Sequence, residues 1–117
     1  MIAAHLLGRD GRKLQLSLEP AFSPWARMKG LLGRSRLAPA SGLWIAPCNS
    51  VHCFFMRFAI DLLYLDEQQR VIAVRHALKP WSLSLCWQAR SVIELAAGEC
   101  QRLGIQPGDT VQCEHSR

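Results

Sequence analysis

The clearest pattern in the chain is the strict alternation of Lys13-Leu14-Gln15-Leu16-Ser17-Leu18, which puts Leu14, Leu16 and Leu18 on one face of a half-buried strand. Ile2–Leu7 is a second apolar run. Gly8-Arg9-Asp10-Gly11, between the two, supplies residues that tolerate positive φ, so the pair predicts a hairpin. Ser23-Pro24-Trp25 predicts a helix start, with Ser accepting hydrogen bonds as N-cap and Pro placed where its missing donor is not needed. Trp25, Met28 and Leu32 then recur at helical spacing, and Gly33 can end the helix. Gly30 within it costs about 1 kcal/mol relative to Ala and marks a close backbone approach. Residues 37–41, with Pro39, read as a loop.

From Val51 to Asp66 the chain contains no turn residue and is apolar on both faces, which makes this run the expected core. Its sixteen residues, fully extended, would span about 53 Å at about 3.3 Å each, whereas a domain of this length has a radius of gyration near 13 Å. The run must therefore break. Arg57-Phe58-Ala59 is the expected bulge or corner, where the chain passes from one sheet or barrel side to another. After a turn at Asp66-Glu67-Gln68-Gln69, Arg70–His76 returns antiparallel against Leu62–Leu65. Residues 79–90, with Trp81, Cys86 and Trp87, show no clear period and read as a loop shielding a sheet edge. Ser91–Ala97 is a further apolar stretch, and Glu99–Leu103 forms one helical turn ended by Gly104. Gln106-Pro107-Gly108-Asp109 fits a type II turn leading into a last strand, Thr110–Cys113.

These elements predict a mainly β fold: one domain over residues 1–117, an antiparallel β-sandwich or partly open barrel with one or two short helices. At 117 residues, 50% hydrophobic and 20% charged, the chain can bury a core without disulfides. No apolar run approaches 18 residues, so no transmembrane helix is expected, and the N-terminus lacks the basic, apolar pattern of a signal peptide. The expected location is cytoplasmic. There the five cysteines, an odd number, should be free thiols. The net charge of +5 comes wholly from residues 1–40, which hold seven bases and two acids, while residues 41–117 hold seven of each. A positive face could steer the protein to nucleic acid, but no nucleic-acid motif accompanies it, and a solvated surface is the preferred reading.

The densest chemistry lies in Pro47-Cys48-Asn49-Ser50-Val51-His52-Cys53. As metal ligands, Cys48, His52 and Cys53 fall short of four, and neighbours on a strand face opposite ways, so no metal or cofactor is expected. A hydrolase-like enzyme would activate Cys48 or Ser50 through His52, but no nucleophile-elbow signature supports it. The favoured reading is a non-catalytic domain that binds a small molecule or protein partner. Its site would be a polar cluster of His52, Arg57, Asp61 and Glu94 set in apolar surroundings, where charges need partners and these groups can satisfy each other as well as a ligand, with Trp25, Trp44, Trp81 and Trp87 as aromatic walls.

Three ordered blocks carry a family resemblance. They are Met28-Lys29-Gly30-Leu31-Leu32-Gly33-Arg34; then Ser50-Val51-His52-Cys53-Phe54-Phe55-Met56-Arg57-Phe58-Ala59-Ile60-Asp61 with Leu65-Asp66; then Glu94-Leu95-Ala96-Ala97-Gly98 with Leu103-Gly104-Ile105 and Gly108-Asp109. Through them the chain resembles the domain of unknown function 192 family over most of its length. The resemblance implies a mainly β, sandwich-like domain with a short helix, and a family without an established biochemical activity. Ala59 and Ala96 stand where the family pattern tends to have proline, and Cys53 where the matching branch tends to have threonine, which argues against a thiol chemistry shared with relatives.

Overall fold

Local chain chemistry accounts for most of the strands of the computed structural model, which describes residues 2–23, 37–52 and 58–113. The predicted hairpin is formed by β1 (Ile2–Leu7) and β2 (Lys13–Ala21), antiparallel with Leu6 opposite Leu14 and Ile2 opposite Leu18. Gly11 takes the positive φ that the turn requires, at +90°. The predicted helix over residues 23–33 lies almost wholly outside the described residues.

The fold is mainly β. A seven-stranded curled sheet forms a half-barrel in the order β6-β5-β8-β3-β2-β1-β9, accompanied by a two-stranded sheet, β4-β7. The members not yet placed are β3 (Ser41–Ile45), β4 (Ser50–His52), β5 (Ile60–Leu65), β6 (Val71–Leu78), β7 (Leu83–Leu85), β8 (Ser91–Ala96) and β9 (Thr110–Cys113). One short helix, α1 (Glu99–Leu103), sits between β8 and β9 and ends at Gly104, whose φ is +68°. Among the described residues no helix is long and apolar enough to cross a membrane.

The run does change sheets, since β4, ending at His52, belongs to the small sheet and β5, beginning at Ile60, to the large one, while Arg57 of the expected corner lies outside the described residues. The return of β6 along β5 is antiparallel, with Leu63 opposite Val74. Two strands were not among those expected. β3 has no alternation because Gly42 to Ile45 are buried throughout, so a continuous apolar run stands in place of a period. It also pairs with β2 in parallel, Leu18 opposite Gly42, after a crossover of the kind parallel neighbours require. β7 lies inside the segment expected to be loop.

Two apolar clusters explain why β5 and β8 are buried on both faces. Leu63, Leu65, Ile93 and Leu95 face the barrel interior with Leu6, Leu16 and Leu18. Leu62, Tyr64 and Val92 face outward, where Val51 of β4 covers them. Tyr64 fastens that cover by donating its hydroxyl to Ser84 Oγ of β7 at 2.6 Å. At one end the barrel is stitched by Arg70 bridging Thr110, with Val71 N–H donating to the Asp109 carbonyl at 2.7 Å.

Candidate functional site

Sheet register decides which of the singled-out residues can meet. On β5, Asp61 stands opposite Leu95, and Leu62 opposite Glu94. Side chains alternate along a strand, so Asp61 points into the barrel and Glu94 points to the outer face. The two carboxylates are on opposite sides of the sheet. His52 is exposed on β4, beside Leu83, while Arg57 lies outside the described residues.

Asp61 is completely buried, and three backbone N–H groups donate to its carboxylate: Ala77 at 2.8 Å, Gly98 at 3.0 Å and Cys100 at 3.0 Å. Gly98 is the N-cap of α1 and has no side chain to offer, so Asp61 supplies from across the sheet the acceptor that the helix start lacks. The same carboxylate holds Ala77, whose φ is +50°, near the end of β6. Burial, with Asp61 nearby, pushes the Cys100 thiol far up, so it stays protonated and inert. Asp109 plays a similar part, also completely buried, accepting from Arg9 N–H at 3.1 Å and Gln106 N–H at 2.9 Å and so fixing the turn before β9. Gly108 has φ +99° there, as the type II turn requires.

The residues of the two alternative readings are placed as follows. The Cys48 thiol donates to the Ser50 carbonyl at 3.0 Å rather than to a base. Ser50 and His52 are exposed on the same face of β4. Of the basic N-terminal residues, Arg12 donates to the carbonyls of Leu103 and Gly104 at 3.1 and 2.9 Å, completing the C-terminal end of α1. Arg27, Lys29, Arg34 and Arg36 lie outside the described residues. Among the described residues no group of three or more His, Cys, Asp or Glu side chains could hold a metal ion.

A cavity of about 930 Å³ opens at the end of the half-barrel away from Asp61, where β3 and β5 end and β8 begins. Its apolar wall is built around Trp44, with Phe22 meeting the indole edge-on at 5.8 Å between centroids and Pro47 beside them. Trp44 is nearly buried, and its indole N–H donates to Ser91 Oγ at 3.0 Å, which locks the ring. On the rim Arg90 pairs with Glu67 at 3.4 Å, both side chains about two-thirds exposed. Such a pair is weak, and its guanidinium can exchange partners. Of the four tryptophans that the sequence offered as walls, Trp44 lines this cavity, Trp81 and Trp87 do not, and Trp25 lies outside the described residues; the sequence did not point to Phe22 or Arg90. No local signal marks them, because the cavity joins segments that lie far apart along the chain.

A family model, DUF192, described as Uncharacterized ACR, matches residues 6–113. The chain belongs to the DUF192 family. A UPF0127 protein of Pyrococcus furiosus is 33% identical over 64 residues, a match that covers 54% of this chain and 54% of that protein, about half the length of the curated relative. Two crystal structures share the fold. One, from Sinorhizobium meliloti 1021 and provisionally described as a transcription regulator, aligns with a TM-score of 0.89 at 24% identity, covering 96% of this chain and 92% of that one. The other, a protein of unknown function from Novosphingobium aromaticivorans, aligns with a TM-score of 0.84 at 22% identity, covering 94% and 83%. At these identities the two structures establish the DUF192 chain's fold alone.

Proposed function

We propose that this protein is a non-catalytic binding domain that takes a small, flat, apolar molecule bearing a carboxylate at the open end of the half-barrel. The observation that carries the reading is the cavity around the locked Trp44 ring, whose volume of about 930 Å³ falls in the usual range for small-molecule sites. Barrel mouths are a common place for such sites. Among the described lining residues Arg90 supplies a guanidinium suited to a carboxylate, which would replace Glu67 in a charge-assisted pair.

In this reading His52, Asp61 and Glu94 are not one site, and Arg57 lies outside the described residues. Asp61 holds α1 and β6 in place, and its carboxylate already accepts three N–H groups. Glu94 faces the outer side of the large sheet, and His52 is exposed on the small one. The enzyme reading is not favoured by the Cys48 thiol, which donates to a carbonyl. Nucleic-acid binding is weakened by the structural use of Arg12.

Calorimetric titration with 2-naphthoate, a planar aromatic carboxylate, tests the proposal. Binding is expected, with Kd raised about tenfold by Arg90→Ala through loss of the charged pair, a change of about 1.4 kcal/mol. Phe22→Ala should weaken it as well, because half of that side chain is exposed and its removal spares the core. Titration heats that show no binding, or an affinity unchanged in both variants, would refute the mouth as the site.

A further inference from the structure

The segment Trp81-Ser82-Leu83-Ser84-Leu85-Cys86-Trp87 is built inside out. Its apolar residues alternate, as in a strand, but they face solvent: Trp81 is 61% exposed, Leu83 70%, Leu85 47% and Trp87 76%. The intervening Ser82, Ser84 and Cys86 are half-buried, and Ser84 is held by the Tyr64 hydroxyl. Leu83 and Leu85 lie on β7, Trp81 and Trp87 in the turns at its two ends. Among the described residues β7 pairs only with β4, where Leu83 stands beside His52 and Leu85 beside Ser50, both exposed.

We propose that this ribbon is a homodimer interface, with a second copy of the same chain as its occupant. Three features single out a second copy. The apolar positions read Trp-Leu-Leu-Trp in either direction, so a two-fold axis beside Ser84, with the ribbons antiparallel, sets Trp81 against the partner's Trp87 and Leu83 against the partner's Leu85. An isologous interface brings the same patch of each copy together, and in this register every anchor meets its own kind, indole against indole and leucine against leucine. The seven-residue segment carries no charge, so stacking it on itself brings no like charges together. The four side chains offer roughly 500 Å² of apolar surface per copy, at the upper end for a monomer's largest patch. Two copies therefore bury about 1,000 Å² before any rim contact, which reaches the threshold for a specific interface. Tryptophans at both ends are the side chains most enriched among energetic anchors.

Sedimentation velocity of the full chain at about 100 µM, far above the ~1 µM dissociation constant of a modest interface, tests this. Twice the chain mass of 13.1 kDa is expected. Leu83→Asp and Leu85→Lys should each raise the dimer Kd about a hundredfold, through a buried unpaired charge, with circular dichroism unchanged because both positions are exposed. Mixing the two variants should restore the dimer, since the antiparallel register sets the new carboxylate of one copy against the new ammonium group of the other. A wild-type chain that sediments at the single-chain mass, variants that dimerise normally, or a mixture that stays monomeric each overturns the proposal.

Discussion

Asp61 shows how an acid in a greasy segment can be read in two ways at the residue level. An ionisable group in an apolar run needs partners, and a ligand or a second side chain would satisfy that need. The structure instead supplies three backbone N–H groups. Asp61→Asn keeps the shape but turns one acceptor into a donor facing an N–H, so unfolding should become easier by about 3 kcal/mol in urea titrations. Naphthoate affinity should stay unchanged, which separates this structural role from ligand contact. Glu99 links α1 to the loop before β3: its carboxylate accepts from Ala40 N–H at 2.7 Å and from Arg102 at 2.6 and 2.8 Å. The Arg102 guanidinium foremost, and the Ala40 N–H after it, lower its pKa from the ordinary 4.5 to about 2. A folded value below the unfolded one contributes stability that is complete above pH 4.5 and lost as pH falls through about 2. Melting temperature should therefore drop across that window, and Glu99→Gln should flatten the drop while lowering stability at neutral pH.

Among the elements, those with a strong local signature matched expectation. The β1–β2 hairpin, β6, α1 and β9 each carry an alternation, a turn or a glycine stop that acts within a few residues. β3 and β7 carry no such signature and were not foreseen, for different physical reasons. β3 is buried on both faces between β2 and β8, and Gly42 is required because a Cβ there would run into the Glu94 carbonyl oxygen and Leu95. β7 does alternate, but with its apolar residues outward, and a search for apolar positions facing a core overlooks it. The attachment of β7 is testable on its own. Tyr64→Phe removes the 2.6 Å bond to Ser84 and should cost about 1 kcal/mol, with hydrogen exchange quickening in β7 and β4 before it does in β5.

For the molecule as a whole, the half-barrel separates two surfaces that the proposals assign to different partners. The mouth, where Trp44 and Arg90 lie, is formed by strand ends of the large sheet, whereas the Trp81–Trp87 ribbon belongs to the small sheet laid over the outer face. Leu83→Asp should accordingly break the dimer and leave naphthoate binding intact. The buried carboxylates Asp61 and Asp109 hold the junctions between strands and helix, leaving exposed groups such as Arg90 to meet a ligand.

The amino-acid order alone was enough for the β class, the hairpin, the short helix with its glycine stop, the passage between sheets before Ile60 and the family, because each rests on periodicity or turn chemistry confined to a short stretch. It singled out Asp61 and Glu94 as unusual without telling that they face opposite ways. That depends on the pairing of β5 with β8, between residues some thirty positions apart. The cavity at the mouth depends likewise on how far the sheet curls, and the outward turn of the tryptophan ribbon on which face of β7 Tyr64 grips. Long-range register and curvature follow from the packing of the whole core, and no local window of sequence contains them.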